Sequence, residues 1–302
     1  MSKVPLSVFV LTFNEEANLE NCLKSLAPAG EVHIVDSFST DRTLEIARGF
    51  GATVWQHKFT TFGAQRNWAL NEIPFQYPWL FGLDADHQVT PELWQELKEV
   101  LPNTPASVGG FFTKRRQFFK GRRIRFGGMN QYKLKLFRRE GAKYDEEELD
   151  DRVYIQGETR CLENDIIEDN ANENAIHFWI EKHNRYATKL ALEEVRIRNG
   201  EKRFLLKPNF WGNPNERILS LKMKWYRMPL LVRPFLYFFY RYFLRLGFLD
   251  GKEGFIFHFL HAFWFRMLVD IKLEENLKTP LPPGNVISLT SKRAQRVDSS
   301  KV

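Results

Sequence analysis

From Leu6 to Thr12 (LSVFVLT) the chain is apolar and β-branched, and it stops at Asn14; beyond it Leu19, Cys22, Leu23 and Leu26 recur at three- and four-residue spacing. The first pattern predicts a strand and the second a helix with one apolar face. The pair repeats. Glu31–Asp36 (EVHIVD) precedes a helix from about Thr40 to Phe50 closed by Gly51, and Ala52–His57 precedes one around Arg66–Ile73. Trp79–Leu83 then leads through DADHQV to Thr90, an N-cap residue followed by Pro91 at the first helical position. Strands and helices alternating at these lengths predict a parallel sheet covered by helices.

After Val108 the pattern changes. FFTKRRQFF and YKLKLFR are strand-like, the latter alternating Tyr132, Leu134 and Leu136 with Lys133 and Lys135, and they predict antiparallel additions to the sheet. From Asn172 to Val195 the residues Ile176, Trp179, Ile180, His183, Ala187, Leu190 and Ala191 mark an amphipathic helix packed on the preceding domain. On such a helix His177 and His183 read as surface or packing residues rather than ligands.

The segment Phe204–Lys272 holds 19 of the 44 aromatic residues, and its 11 Lys and Arg outnumber its 4 Asp and Glu, so it carries the net charge of +7. Its longest uncharged run, Gly254–Phe265, has 12 residues, short of the roughly 20 that cross a bilayer as a helix. Aromatics with arginines at Arg233, Arg241 and Arg245, spaced to share a helix face, predict an extension lying on an anionic membrane surface. A buried helical core with exposed arginines is the alternative. The tail from Thr279 is polar and proline-rich, a composition that favours disorder. Cys22 and Cys161, without CxxC spacing, indicate neither a disulfide framework nor a zinc site and suit a reducing compartment. The N-terminus reads as a first strand rather than a cleaved leader. The expected organisation is residues 1–200 as an α/β domain, 201–278 as a helical extension and 279–302 as the tail.

Three polar clusters follow three predicted strands, the place where open α/β sheets bind ligands. Thr12, Asn14 and Glu15 follow the first. Asp36-Ser37-Phe38-Ser39-Thr40-Asp41 follows the second, where carboxylates accept hydrogen bonds from a base or ribose, although Ser39 or Thr40 also suits a helix cap. Asp84-Ala85-Asp86 follows the apolar WLFGL. Two carboxylates at that spacing converge on a divalent cation whose shell a diphosphate completes.

With TFNEE at Thr12–Glu16, VDSFSTDRT at Val35–Thr43, QRNWA at Gln65–Ala69 and LDAD at Leu83–Asp86, the sequence resembles family 2 glycosyltransferases of the GT-A fold, over roughly the first 200 residues. IHFWIEKHNRYA at Ile176–Ala187 resembles the subgroup that includes lipopolysaccharide-core β-1,4-glucosyltransferases, and Arg233–Gly254 resembles membrane-associated members. The resemblance implies a Rossmann-like mixed sheet with helices on both faces. It also implies that Thr12, Asn14, Glu15, Asp36 and Asp41 serve the nucleoside, that Arg66 lies near the donor, that Asp84 faces ribose or metal, and that Asp86 binds Mg²⁺ or Mn²⁺. Inverting members use an acidic residue as base; here it implies Asp150 or Asp151, in a chain with Leu149-Asp150-Asp151 where relatives often have His-Glu.

The expected reaction is a single inverting displacement. A carboxylate takes the acceptor proton, and the metal with basic residues, including those of Lys114–Arg125, neutralises the leaving diphosphate. By resemblance the donor is UDP-glucose and the acceptor a lipid-linked or other saccharide on the cytoplasmic side of the membrane, in envelope polysaccharide synthesis. A polyprenyl-phosphate acceptor is the alternative within the family. A nucleic-acid-binding module would account for the basic, aromatic C-terminal part but not for the acidic clusters, so no nucleic-acid partner is expected.

Overall fold

The computed structural model describes residues 3–129, 131–145, 152–201 and 207–278. Its first part alternates as the apolar pattern predicts: β1 (Val4–Thr12), α1 (Leu19–Ser25), β2 (Ala29–Asp36), α2 (Thr43–Gly49), β3 (Thr53–Gln56), α3 (Phe62–Glu72), β4 (Trp79–Asp84), the short β5 (His87–Val89) and α4 (Pro91–Val100). Thr90 caps α4, its hydroxyl accepting from Leu93 N at 3.2 Å, and Pro91 stands where no amide donor is needed. α3 starts earlier than Arg66 because Thr61 caps it, accepting from Ala64 N at 3.1 Å.

β3, β2, β1 and β4 lie side by side and parallel. Leu6, Val8 and Val10 pack with Leu19, Leu23, Leu93 and Leu97 of α1 and α4, while Phe9 and Leu11 pack with Ala69, Leu70 and Ile73 on the α3 side. Successive strand side chains point to opposite faces, so a strand covered on both must be apolar at both parities, which is why LSVFVLT does not alternate. On β4, a Cβ at Gly82 would fall 2.7 Å from Phe9 Cζ and 2.8 Å from Tyr144 Oη, so no larger residue fits there.

The second part adds β6 (Val108–Phe119), β7 (Arg122–Ile124), β8 (Tyr132–Arg138), β9 (Lys143–Tyr144), β10 (Val153–Tyr154) and β11 (Glu158–Glu168). As expected, β8 runs antiparallel to β4 and β6. β11 is a strand that the hydrophobic pattern does not predict. In ETRCLENDIIE only Leu162 and Ile166 are buried, and it is held by parallel pairing to β6 and antiparallel pairing to β5. Among the described residues the result is a nine-stranded mixed sheet in the order β3-β2-β1-β4-β8-β6-β11-β5, with β7 on β6; β9 and β10 pair separately. This is the mixed sheet with helices on both faces that the sequence leads one to expect.

The helices α5 (Ile176–Arg198), α6 (Pro214–Tyr226), α7 (Arg233–Phe239), α8 (Gly251–His258) and α9 (Phe265–Lys278) follow, with π-helical turns at Tyr240–Leu244 and Phe259–Trp264. Trp179 at the start of α5 packs with Phe119, Ile124 and Met129, whereas Ala187 and Ala191 pack against Phe265, Val269 and Leu273 of α9. His183 stacks on Trp179 at 3.5 Å between ring centroids, a packing role, and His177 is exposed. Ile176 and Ile180 from the apolar stripe face outward.

The lipid-facing arginine stripe needs correction. Arg233 is fully buried between α5 and α9, with Nη2 2.8 Å from Glu194 Oε2 and 2.6 Å from Asp270 Oδ1. Arg241 is buried as well, its Nε donating to Gly127 O at 2.8 Å. Of the three, Arg245 alone faces out. Helical spacing puts these residues on one face but does not say which way the face turns; buried partners elsewhere in the chain decide that, carboxylates for Arg233 and Gly127 O with His261 for Arg241.

Candidate active site

Pairing in the sheet brings the three polar clusters together. Thr12 is opposite Asp36, and Leu11 is opposite Asp84, so β2, β1 and β4 end side by side at one edge. The loops beyond β1 and β2 are joined by reciprocal bonds. Asn14, held at φ 55°, receives Thr40 N on its Oδ1 at 2.8 Å and donates its own N–H to Ser39 Oγ at 2.9 Å. Glu15 N donates to Thr43 Oγ1 at 2.8 Å and Glu16 N to Asp41 Oδ2 at 3.1 Å. Asp36 is buried beneath this joint, accepting from Thr12 Oγ1 at 3.0 Å, Ser39 N at 2.9 Å and Gln56 Nε2 at 3.2 Å. Thr12, Asp36 and Asp41 thus shape the loops through internal bonds.

On α3 three consecutive residues, about 100° apart around the axis, reach three parts of the edge. Gln65 Nε2 donates to Ser37 Oγ at 3.2 Å and His57 O at 3.1 Å, tying the ends of β2 and β3 together. The buried Arg66 pairs with Asp84 Oδ1 beside the Tyr144 ring. Asn67 and the Tyr144 backbone exchange bonds of 2.9 and 2.7 Å. Lys135 reaches the second oxygen of Asp84 at 3.1 Å, because antiparallel β8 starts where β4 ends. Burial pushes the Asp84 carboxyl up, but Lys135 and Arg66 outweigh it and hold the group well below the usual carboxylate range. Lys135 and His87 are site residues that strand periodicity shows only as polar positions.

Asp86 stands in a different setting. Its Oδ2 accepts from Asn170 Nδ2 at 3.0 Å, while Oδ1 has His87 Nε2 at 3.9 Å, outside hydrogen-bond reach. His87 Nδ1 accepts from Asp84 N at 3.1 Å, which leaves Nε2 to donate to Glu168 Oε2 at 3.2 Å. Unforeseen β11 therefore delivers Glu168, Asp169 and Asn170 to the edge. Buried Asn18 joins it to the β1 side, donating to Glu15 Oε2 at 2.7 Å and Asn170 Oδ1 at 3.3 Å. Burial, with the Asp86 and Asp84 charges, pushes the Glu15 carboxyl up to about 7 against the opposing bond from Asn18. Among the described residues no three His, Cys, Asp or Glu side chains are arranged to hold an ion by themselves. Asp86 Oδ1 is a hard carboxylate donor of the kind Mg²⁺ or Mn²⁺ takes where phosphate and water complete the shell.

Asp150 and Asp151 lie outside the described residues. Their neighbours Asp145 and Arg152 are bonded, Asp145 N donating to Arg152 O at 2.8 Å. The basic run Lys114–Arg125 is divided: Arg115 pairs with Glu168 and Arg116 with Asp165 (2.6 Å), whereas Arg122 pairs with Glu253 of α8 (2.8 Å).

Residues 7–155, which contain all but the β11 part of this edge, match Glycosyl transferase family 2. This segment is a family 2 glycosyltransferase domain. The chain is 32% identical over 149 residues to the lipopolysaccharide core biosynthesis glycosyltransferase LpsC of Rhizobium meliloti (strain 1021), covering 47% of this chain and 54% of that protein. It is 34% identical over 96 residues to an uncharacterized glycosyltransferase of Rickettsia bellii (strain RML369-C), 32% of each chain. The chain thus spans about half the length of the first of these relatives and a third of the second. Among solved structures, mannosyltransferase PcManGT from Pyrobaculum calidifontis, in complex with GDP-Man and Mn²⁺, aligns with 96% of this chain and 80% of its own at 14% identity and a TM-score of 0.47. Glucosyl-3-phosphoglycerate synthase from Mycobacterium tuberculosis, in complex with Mn²⁺, UDP and glucosyl-3-phosphoglycerate, aligns with 38% of this chain and 44% of its own at 21% identity and a TM-score of 0.29. At those values neither likeness bears on the roles of residues in the glycosyltransferase domain.

Proposed function

We infer that this chain is a metal-dependent inverting glycosyltransferase that moves a hexose from a nucleoside diphosphate donor to a saccharide or glycolipid acceptor at the cytoplasmic side of the membrane, in cell-envelope polysaccharide synthesis. The observation that carries the reading is the convergence of Thr12, Asp36, Asp84 and Asp86 at the carboxyl ends of three adjacent strands within the family 2 domain. The lipopolysaccharide-core function in the name of the Rhizobium relative supports the envelope assignment.

The joined β1 and β2 loops, shaped by Asn14, Glu15, Asp36 and Asp41, receive the nucleoside. Arg66 and Lys135 hold Asp84 ionised for the ribose and place two cations by the diphosphate. Asp86 would hold a Mg²⁺ or Mn²⁺ ion, whose charge would neutralise the leaving diphosphate. Asp150 or Asp151 takes the proton of the acceptor hydroxyl as its oxygen attacks the anomeric carbon. Glucose on UDP is the first donor to test. A thermal-shift screen of nucleotide sugars with Mn²⁺ and Mg²⁺ tests the reading, because a ligand bound by the native state raises stability. UDP-glucose with metal is expected to raise the midpoint more than either alone. A chain stabilised by no nucleotide sugar under any metal would overturn it.

A further inference from the structure

Among the described residues the outer face of the extension has no partner. Phe235, Leu236, Phe239, Phe243, Leu244 and Phe248 are each between 42% and 64% exposed, and Arg245 is the one exposed charged residue between Pro234 and Leu249. Half-exposed side chains of this size present together on the order of 600 Å² of apolar surface, with further exposed neighbours beyond them. A soluble monomer seldom leaves so much uncovered.

A basic border adjoins this face. Lys120 and Gly121 turn the β6–β7 hairpin with both φ angles positive, 50° and 73°, the two-residue hairpin geometry that projects its tip outward. The strand leaving that hairpin is joined to the extension: Arg125 N donates to Asp250 Oδ1 at 3.0 Å, and Gly127 N to Arg245 O at 2.8 Å. Lys120, Arg125, Arg245 and Lys252 are exposed along this line.

We propose that this aromatic face inserts into one leaflet of an anionic phospholipid bilayer, with Lys120, Arg125, Arg245 and Lys252 meeting the headgroups. Charge selects this occupant over a second copy of the chain, since an isologous contact would set two basic borders against each other. Gly247–Lys278 forms one helix of 32 residues that is long and apolar enough to cross a membrane. Its Phe257, Phe265, Val269 and Leu273 are buried against protein and its Asp270 is paired with Arg233, so the helix lies along the membrane instead of spanning it. Insertion to a depth of about 5–10 Å accounts for an apolar face bordered by cations.

Flotation of the full chain with phosphatidylcholine vesicles, with and without phosphatidylglycerol, tests this. The chain is expected to float with the mixed vesicles and to float less in high salt. Phe239→Ser with Phe243→Ser is expected to lower partitioning at least roughly tenfold in either salt, and Arg245→Glu with Lys252→Glu to lower it only with phosphatidylglycerol and low salt. Circular dichroism and UDP affinity, both expected to be unchanged, separate a lost membrane contact from a lost fold or a failed donor assignment. Failure to float with any vesicle, a dimer dissolved by the Phe239 and Phe243 changes, or protease cleavage on the far side of sealed vesicles would overturn the proposal.

Discussion

Asp84 and Asp86 are one residue apart and do different work. Asp84 is held ionised between Arg66 and Lys135, whereas Asp86 keeps one oxygen clear of hydrogen-bond partners among the described residues. Asp86→Ala is therefore expected to abolish metal-dependent UDP binding in calorimetry while the unfolding curve stays cooperative; affinity still raised by Mn²⁺ would exclude Asp86 as the ligand. Asp150→Asn and Asp151→Asn are to be compared by kcat. The true base is expected to lose roughly 10²–10⁴-fold with donor affinity unchanged. Glu15 gives a pH dependence. Its folded pKa, about 7, exceeds the ordinary 4.5, so the native state binds this proton more tightly than the unfolded chain. Its stabilising contribution is complete below the ordinary value and is lost as pH rises through the folded value. In metal-free buffer Glu15→Gln is expected to match the parent's melting temperature near about pH 4 and exceed it near about pH 8. Equal midpoints at both would show that Glu15 titrates normally.

At the scale of elements, the extension is held by ion pairs as well as by apolar contact. Arg233 joins α7 to Glu194 of α5 and Asp270 of α9. Arg233→Ala leaves Asp270 buried without its cation and Glu194 with Arg198 alone, a loss of about 3–5 kcal/mol in denaturant unfolding. Arg245→Ala, at an exposed position, is expected to change stability by less than about 0.5 kcal/mol. Similar losses at both positions would mean that the buried network does not form. Elements with strong apolar patterns, β1, β2 and β4, lie within a residue or two of their expected limits, and α4 starts at Pro91 as expected. β11 was not legible because backbone pairing to β6 and β5, rather than apolar burial, makes it a strand.

At the scale of the molecule, helix α5 belongs to both parts of the chain. Its start packs on the β6–β7 hairpin and its end on α9, so the expected boundary near residue 200 cuts through two apolar clusters. A chain ending at Gly200 would expose Trp179, Ala187 and Ala191 and is expected to aggregate, read as loss of the monomer peak in gel filtration against the full chain in detergent. A stable, monomeric truncation with native UDP affinity would establish residues 1–200 as an autonomous domain.

Local signals in the sequence determine the alternation of strands and helices, the caps at Thr90 and Pro91, and the gathering of Thr12, Asp36 and Asp84 at strand ends, because burial periodicity and strand direction act over a few residues. Tertiary structure alone decides what those residues meet. Asp36 lies under the loops it was expected to present, Asn18 and Asn170 bridge segments far apart in the chain, and Lys135 reaches Asp84 because β8 runs antiparallel to β4. The same holds for the arginines of the extension. Spacing places Arg233 and Arg241 on a common face, but the choice between lipid and interior depends on Glu194 and Asp270 for Arg233 and on Gly127 O and His261 for Arg241. A buried charge is stable only where another part of the chain supplies its partner, and local spacing carries no record of that partner.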